Sequence, residues 1–334
     1  MPKPVLRRMR LWWAVALAGV RLADGLAARS NPFLDAARLR TQSEARELFA
    51  EEVARDAPDS LRLTVAIAAE ERPEESATAT VEKVEGALDE LTARATTRVR
   101  LEGMLSGRPA DGAAVARAVA AAMYGDNDQS PGDDTASFFA GNAEDYYDPR
   151  NSFVDEVLER RTGIPITMSL IFAEACKGAG APMSLLNSPG HVLVCPDDPE
   201  ERFLVDAFNG GALLDNARGQ VANASRLSGL PLAARLLRNL RLIYERSDSY
   251  DPVRLLGVAE RMLLVAAQDV DVLAVPLEER QFCRVTVGVC LLALRDDERR
   301  DESYAILKEA ARNYGEEGRA LDPLLADPWF DARA

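Results

Sequence analysis

One histidine in 334 residues, and four cysteines without paired spacing, leave this chain little from which to build a metal centre. Cysteine–histidine sites need closely spaced ligands such as C-x-x-C, and Cys176, Cys195, Cys283 and Cys290 offer none. They show no disulfide framework either, which suits a reducing space better than an oxidising one. No Walker or dinucleotide glycine pattern occurs, and Gly210-Gly211 is a turn, so no cofactor is expected. The polar run Gly125 to Asp134 hints at a calcium loop, but proline stands where the required glycine belongs and no glutamate closes it. Aromatic residues are few, at 6%. Positive charge is also short: 40 Lys and Arg against 54 Asp and Glu give a net charge of −14. An acidic chain of this kind is a poor partner for nucleic acid or an anionic membrane surface.

Long apolar runs are missing as well. The longest, Leu11 to Val20, is about ten residues, roughly half of what a membrane-spanning helix needs. Lys3, Arg7, Arg8 and Arg10 precede it, and small residues ending in Leu26-Ala27-Ala28 follow. Basic, then apolar, then small is the layout of a targeting segment. Residues 1–28 are therefore expected to be a removable leader, directing the chain to an organelle such as a plastid or into the secretory pathway. No stable membrane span is expected in the mature protein. Asn223-Ala224-Ser225 is a glycosylation sequon, relevant on the secretory route.

What is present is helix-rich. Residues 40–125 read as an N-terminal helical region, with Val81, Val84, Leu88 and Leu91 at three- and four-residue steps. From 138 to 228 the texture changes. Asp148-Pro149 and Asn151-Ser152 mark a helix start, Gly163-Ile164-Pro165 breaks that helix, and a second begins at Pro165, where no backbone donor is lost. Two strand-like runs follow, His191 to Cys195 and Arg202 to Asp206, joined by a polar, hairpin-like connection. Residues 229–330 return to helix. Leu232, Leu236, Leu240 and Ile243 form one stripe, and further helices fit 252–266, 277–294 and 301–314. Paired helices of this kind suggest a tetratricopeptide-like tail, although the period is not a clean 34 residues.

The chemistry gathers at His191. It opens an apolar strand straight after Ser188-Pro189-Gly190, and the next strand ends in Asp206. Adjacent antiparallel strands would bring that carboxylate to the imidazole, the base-and-orienter half of a catalytic triad. A nucleophile belongs at a helix N-terminus, where exposed amides and the dipole favour a thiolate and an oxyanion. The helix starting at Pro165 has no cysteine there. Cys176 lies about 16 Å down its axis, and Cys195 is about 13 Å along the strand from His191. Cys283 and Cys290 read as core of a tail helix. Thr167 and Ser169 are the remaining hydroxyl candidates, and a hydroxyl needs stronger activation than a thiol.

The ordered run Phe139-Ala140-Gly141-Asn142, Tyr146 to Phe153, Val157 to Thr167, Pro189-Gly190-His191, Val205-Asp206 and Phe208 to Gly211 resembles the SirB-type transglutaminase-like family. Leu237-Arg238-Asn239-Leu240 is similar to the start of that family's helical repeats. The resemblance is dense over 138–215, weaker over 229–320 and vague before 130. It implies an α+β, mostly helical chain with a transglutaminase-like, papain-related core of helix against antiparallel strands. The glycine-x-cysteine motif of active members falls on Gly163-Ile164-Pro165, so proline stands where the thiol would be. His191 and Asp206 match the other two triad members, and Ala207 replaces the proline usual after the aspartate. The cleft so implied involves Pro165, Asn151 and Asn209. Two readings follow: a catalytically degenerate module that binds a protein or peptide, or a hydrolase or amidase using His191 and Asp206 with water, Thr167 or Ser169.

Overall fold

A computed structural model of the chain describes residues 32–72, 75–107, 109–125, 138–188, 190–215, 224–246, 250–268, 274–314 and 317–331. The leader-like residues 1–28, most of the 125–134 loop, Pro189 and Asn223 lie outside these. The chain divides into two compact units, Arg40–Leu236 and a second comprising Met1–Leu39 with Leu237–Ala334.

The first unit is organised around a helix that is buried over most of its length. Helices α1 (Pro32–Val53), α2 (Ser60–Glu70), α3 (Ala77–Ser106) and α4 (Gly112–Tyr124) precede it, then the short α5 (Val154–Arg160) and the central α6 (Pro165–Gly178). Eleven side chains of α6 are buried, among them Ile166, Met168, Leu170, Ile171 and Phe172. Only Glu174, Lys177 and Gly178 near its end reach solvent, so the rest must be covered by neighbours. Helices α2 to α5 cover most of it, and a sheet covers the rest. Each of α2, α3 and α4 starts at a side-chain cap, from Asp59, Ser76 and Asp111, whose oxygen accepts a free amide of the first turn. Helix α3 is 30 residues long and ends on Gly107 at φ +67°, a left-handed stop that favours glycine.

The sheet is antiparallel, in the order β6-β5-β4-β3-β7, formed by β3 (Met183–Ser188), β4 (His191–Pro196), β5 (Phe203–Asp206), β6 (Ala212–Asp215) and β7 (Ser225–Leu227). A separate parallel pair joins β1 (Ala140–Gly141) to β2 (Thr162–Gly163). The expected strands at 191 and 203 are β4 and β5, antiparallel with Val194 opposite Val205. Strands β3, β6 and β7 are additional. Register sorts the side chains into two faces. Val192, Val194 and Val205 are fully buried, and α6 packs on this sheet. Leu193, Leu204, Leu186, Cys195 and Leu214 form a shallower cluster on the other face.

In the C-terminal unit, the end of α7 (Gly229–Tyr244) is followed by α8 (Pro252–Gln268), α9 (Leu277–Leu294), α10 (Arg300–Asn313) and the short α11 (Asp322–Leu325). Helix α9 packs on α8 and α10, α10 packs on α11, and Val289, Leu292, Leu307, Leu321 and Leu324 form part of their core. Among the described residues, no helix is long and apolar enough to cross a membrane.

Candidate functional site

His191 is the first residue of β4 and pairs with Ser188 across a two-residue turn whose Gly190 sits at φ +74°. Glycine adopts that left-handed conformation without strain, so the turn places His191 at the very end of the sheet. Asp206 closes β5. Both side chains lie, by register, on the shallower face of the sheet, where they are 28% and 13% exposed. His191 Nε2 stands 2.9 Å from Asp206 Oδ1. A carboxylate oxygen accepts this bond, so Nε2 is the donor, and in the neutral imidazole Nδ1 then holds the lone pair. The same carboxylate accepts the Asn209 backbone amide at 3.2 Å and the Asn209 side-chain amide at 2.7 Å. It thereby caps the 3₁₀ turn Ala207–Asn209 while it holds the imidazole.

The surroundings fix that turn. Phe208 meets the His191 ring edge-on, with centroids 6.1 Å apart. Tyr124, at the end of α4, donates its hydroxyl to the Ala207 carbonyl. Burial, and secondarily the charge of Asp206, push the Tyr124 phenol far above its ordinary range, so it remains a donor. A side chain at Gly211 would strike Ala120 and the Tyr124 ring, and one at Gly141 would strike Phe208. A path of contacts thus runs from His191 through Phe208 to β1, and from β1 to β2, which immediately precedes α6.

At the start of α6, Pro165 is buried at the first helical position. Thr167 Oγ1 donates to the carbonyls of Asn151 at 2.8 Å and Ile164 at 3.1 Å, and Ser169 Oγ donates to the Val192 carbonyl at 3.2 Å. The structure brings His191, Asp206 and Asn209 together; it engages Thr167 and Ser169 elsewhere, as buried ties between α6 and its neighbours. Asn151 is fully buried. Its amide donates to the Asp145 carbonyl at 2.8 Å, and its Oδ1 accepts from Asn142 at 3.2 Å and Arg160 at 3.4 Å. It therefore fastens the 142–146 loop and is not a cleft surface. Gly163 has a packing reason of its own, since a Cβ there would meet Val157 at 2.8 Å.

No thiol is poised for attack. Cys176, Cys283 and Cys290 are buried and Cys195 partly so. Burial raises all four above the ordinary thiol range, Cys283 to about 11, and Arg226 only partly counters this at Cys195. A reactive cysteine needs the opposite environment. Among the described residues, no cluster of three potential metal ligands occurs. Tyr124 and Phe208 shape the site although neither was assigned a role from the sequence; Gly141 and Gly211, which leave room for these rings, are a local hint.

Residues 82–241, which carry His191, Asp206, Asn209, Tyr124 and Phe208, match a family model described as transglutaminase-like superfamily. The segment is similar to the transglutaminase-like superfamily. A UPF0162 protein of Xylella fastidiosa strain Temecula1 is 34% identical over 142 residues, covering 37% of this chain and 50% of that protein. A UPF0162 protein of Vibrio cholerae is 34% identical over 73 residues, 22% of this chain and 27% of that protein. F-box only protein 21 of Mus musculus is 45% identical over 71 residues, 21% of this chain and 11% of that protein. The chain thus spans about half the length, or less, of the curated relatives it matches. No solved structure matches it.

Proposed function

We propose that the transglutaminase-like domain is a thiol-less, SirB-type module that binds a peptide or protein, with the tetratricopeptide-like helices of the C-terminal unit as an additional binding surface. The observation that carries this reading is the state of the three triad positions. His191 and Asp206 are joined at 2.9 Å on a partly open face, while the helix start holds Pro165 and the nearby hydroxyls are spent on backbone carbonyls. A base without a nucleophile still presents a directional acceptor, Nδ1, beside an aromatic edge, Phe208, which suits recognition of a backbone or side-chain donor. Residues 1–28 act in this account as a leader, and sequencing the N-terminus of the mature protein tests that part.

The second reading is a hydrolase or amidase in which Nδ1 takes a proton from water. The threefold hydrogen bonding of Asp206 favours it, because such anchoring is what a general base requires. One experiment separates the two: partner capture with wild type and His191→Ala, run beside general amidase and peptidase assays. A specific partner without turnover supports the binding module. Turnover that disappears in His191→Ala overturns it.

A further inference from the structure

Strand β4 is held unevenly on its two sides. Its ladder with β3 runs the whole way, from Pro196 opposite Met183 to His191 opposite Ser188. Towards β5 the register holds a single pair among the described residues, Val194 opposite Val205. The His191 end of β4 therefore follows the β3–β4 hairpin. Whether the imidazole meets Asp206, the last residue of β5, depends on where that hairpin stands.

Helix α7 supplies a fixed point for it. The first part of α7, as far as Leu236, belongs to the same unit as the sheet. The Gly229 amide donates to Ser60 Oγ at 2.8 Å, and Leu232, Ala233, Ala234 and Leu236 are fully buried, so close packing holds this stretch in place. From it the half-buried Arg235 reaches both strands of the hairpin. One terminal nitrogen donates to Asn187 Oδ1 on β3, and the other donates to the His191 carbonyl on β4 at 3.1 Å. The next carbonyl, that of Val192, accepts Ser169 Oγ from α6 at 3.2 Å. Two successive carbonyls at the start of β4 are thus held by two different helices. Asn187 lies opposite the buried Val192, so by register it faces away from the imidazole. A guanidinium suits this position, because its rigid fork of donors meets two acceptors at once, whereas an ammonium on a flexible stem acts as a point charge.

We propose that Arg235 is a positioning residue of the candidate site: it fixes the main chain of His191 from the opposite face while Asp206 fixes the ring. The inference deepens the binding reading above and rests on it for its partner measurement alone. Arg235 acts on the imidazole only through the strand, so its contribution is the direction in which Nδ1 points.

The test uses the full chain with its single histidine ¹⁵N-labelled. Arg235→Met keeps an apolar stem and removes the fork. Above the imidazole titration, it should raise the share of the Nδ1-protonated tautomer and the mobility of the ring. A captured partner should bind it roughly tenfold more weakly, the scale of a lost hydrogen bond. Arg235→Lys should change the imidazole in the same direction by less, and it decides the question if Arg235→Met does not fold. Arg72→Met breaks the ion pair with the buried Asp155 in the same unit, and should lower Tm while leaving the imidazole as in wild type. An imidazole unchanged in the folded Arg235 variants overturns the proposal, whatever stability they lose. An equal change in Arg72→Met overturns it too, since the ring then reports only general loosening. A wild-type chain that captures no partner counts against the binding reading alone, and the imidazole comparison still decides the role of Arg235.

Discussion

On α6 itself, buried polarity is neutral and tied to backbone through Thr167 and Ser169, and Asn151 beside it also engages a main-chain carbonyl. Charge stands on the neighbouring α5, where the fully buried Asp155 pairs with Arg72 at 2.7 Å. Where α6 is neutral, one cluster of the C-terminal unit is charged instead. Glu245 lies 3.3 Å from Arg241, each about one-seventh exposed, and Glu279 binds Arg238 and Arg241 nearby. Arg241 also covers the Phe282 ring at 4.7 Å. The contrast has a physical consequence. Neutral ties to backbone hold at any pH, whereas a buried carboxylate couples stability to proton binding. The ties of Thr167 and Ser169 are therefore indifferent to pH, whereas the cluster around Glu245 is not.

The largest effect should come from the centre of α6. Phe172 is fully buried there, and Phe172→Ala should cost about 3–5 kcal/mol, a large part of an ordinary domain's stability. Urea denaturation checks it; a cost below about 1 kcal/mol, the scale of a typical surface change, would contradict the placement of α6 as the core. The charged side of the comparison predicts a pH effect. Burial, offset by Arg241 and reinforced by Glu279, raises Glu245 from 4.5 to about 7. The folded state then holds a proton that the unfolded chain releases, so stability is present below pH 4.5 and is lost as pH rises towards 7. The loss should be on the order of 3 kcal/mol, and Glu245→Gln should flatten it. Thermal unfolding between pH 4 and 8 measures both; an unchanged slope in the variant would remove the contrast.

Smaller effects sharpen the neutral side. Thr167→Val leaves the Asn151 and Ile164 carbonyls without its hydroxyl and should cost about 1–3 kcal/mol. Thr167→Ser, which keeps the hydroxyl, should restore most of it, a rescue that depends on stability and not on turnover. Smallest of all, Asn209→Ala removes one side-chain hydrogen bond to Asp206 at an exposed turn and should cost about 1 kcal/mol or less. Increased mobility of the His191 ring, read from NMR relaxation, would accompany it.

Much of the frame was legible in the sequence, for reasons tied to particular residues. Pro165 after Gly163-Ile164 marks the start of α6 because proline loses nothing at a first turn, and the apolar runs at His191 and Phe203 are β4 and β5. Strand β3 was hidden because Met183-Ser184-Leu185-Leu186-Asn187-Ser188 breaks its alternation and ends in turn formers; only the Pro189-Gly190 dipeptide hinted at the hairpin. Strands β6 and β7, at four and three residues, are too short to show a period. At the site, pairing of His191 with Asp206 followed from strand ends alone. The role of Tyr124 did not, because its partner Ala207 lies 83 residues away. The burial of Asn151 likewise depends on Asn142, Asp145 and Arg160 meeting it, which no local pattern encodes.

Asp206 holds His191 through Nε2, which leaves Nδ1 as the acceptor in the proposed site. A chain with a single histidine makes this directly observable. Long-range ¹H–¹⁵N NMR of the ¹⁵N-labelled imidazole, recorded above its titration, should show a protonated Nε2 and a bare Nδ1, with Asp206→Asn shifting the tautomer balance and a captured partner perturbing Nδ1. A protonated Nδ1 in the wild type, or spectra indifferent to Asp206→Asn and to the partner, would contradict the account.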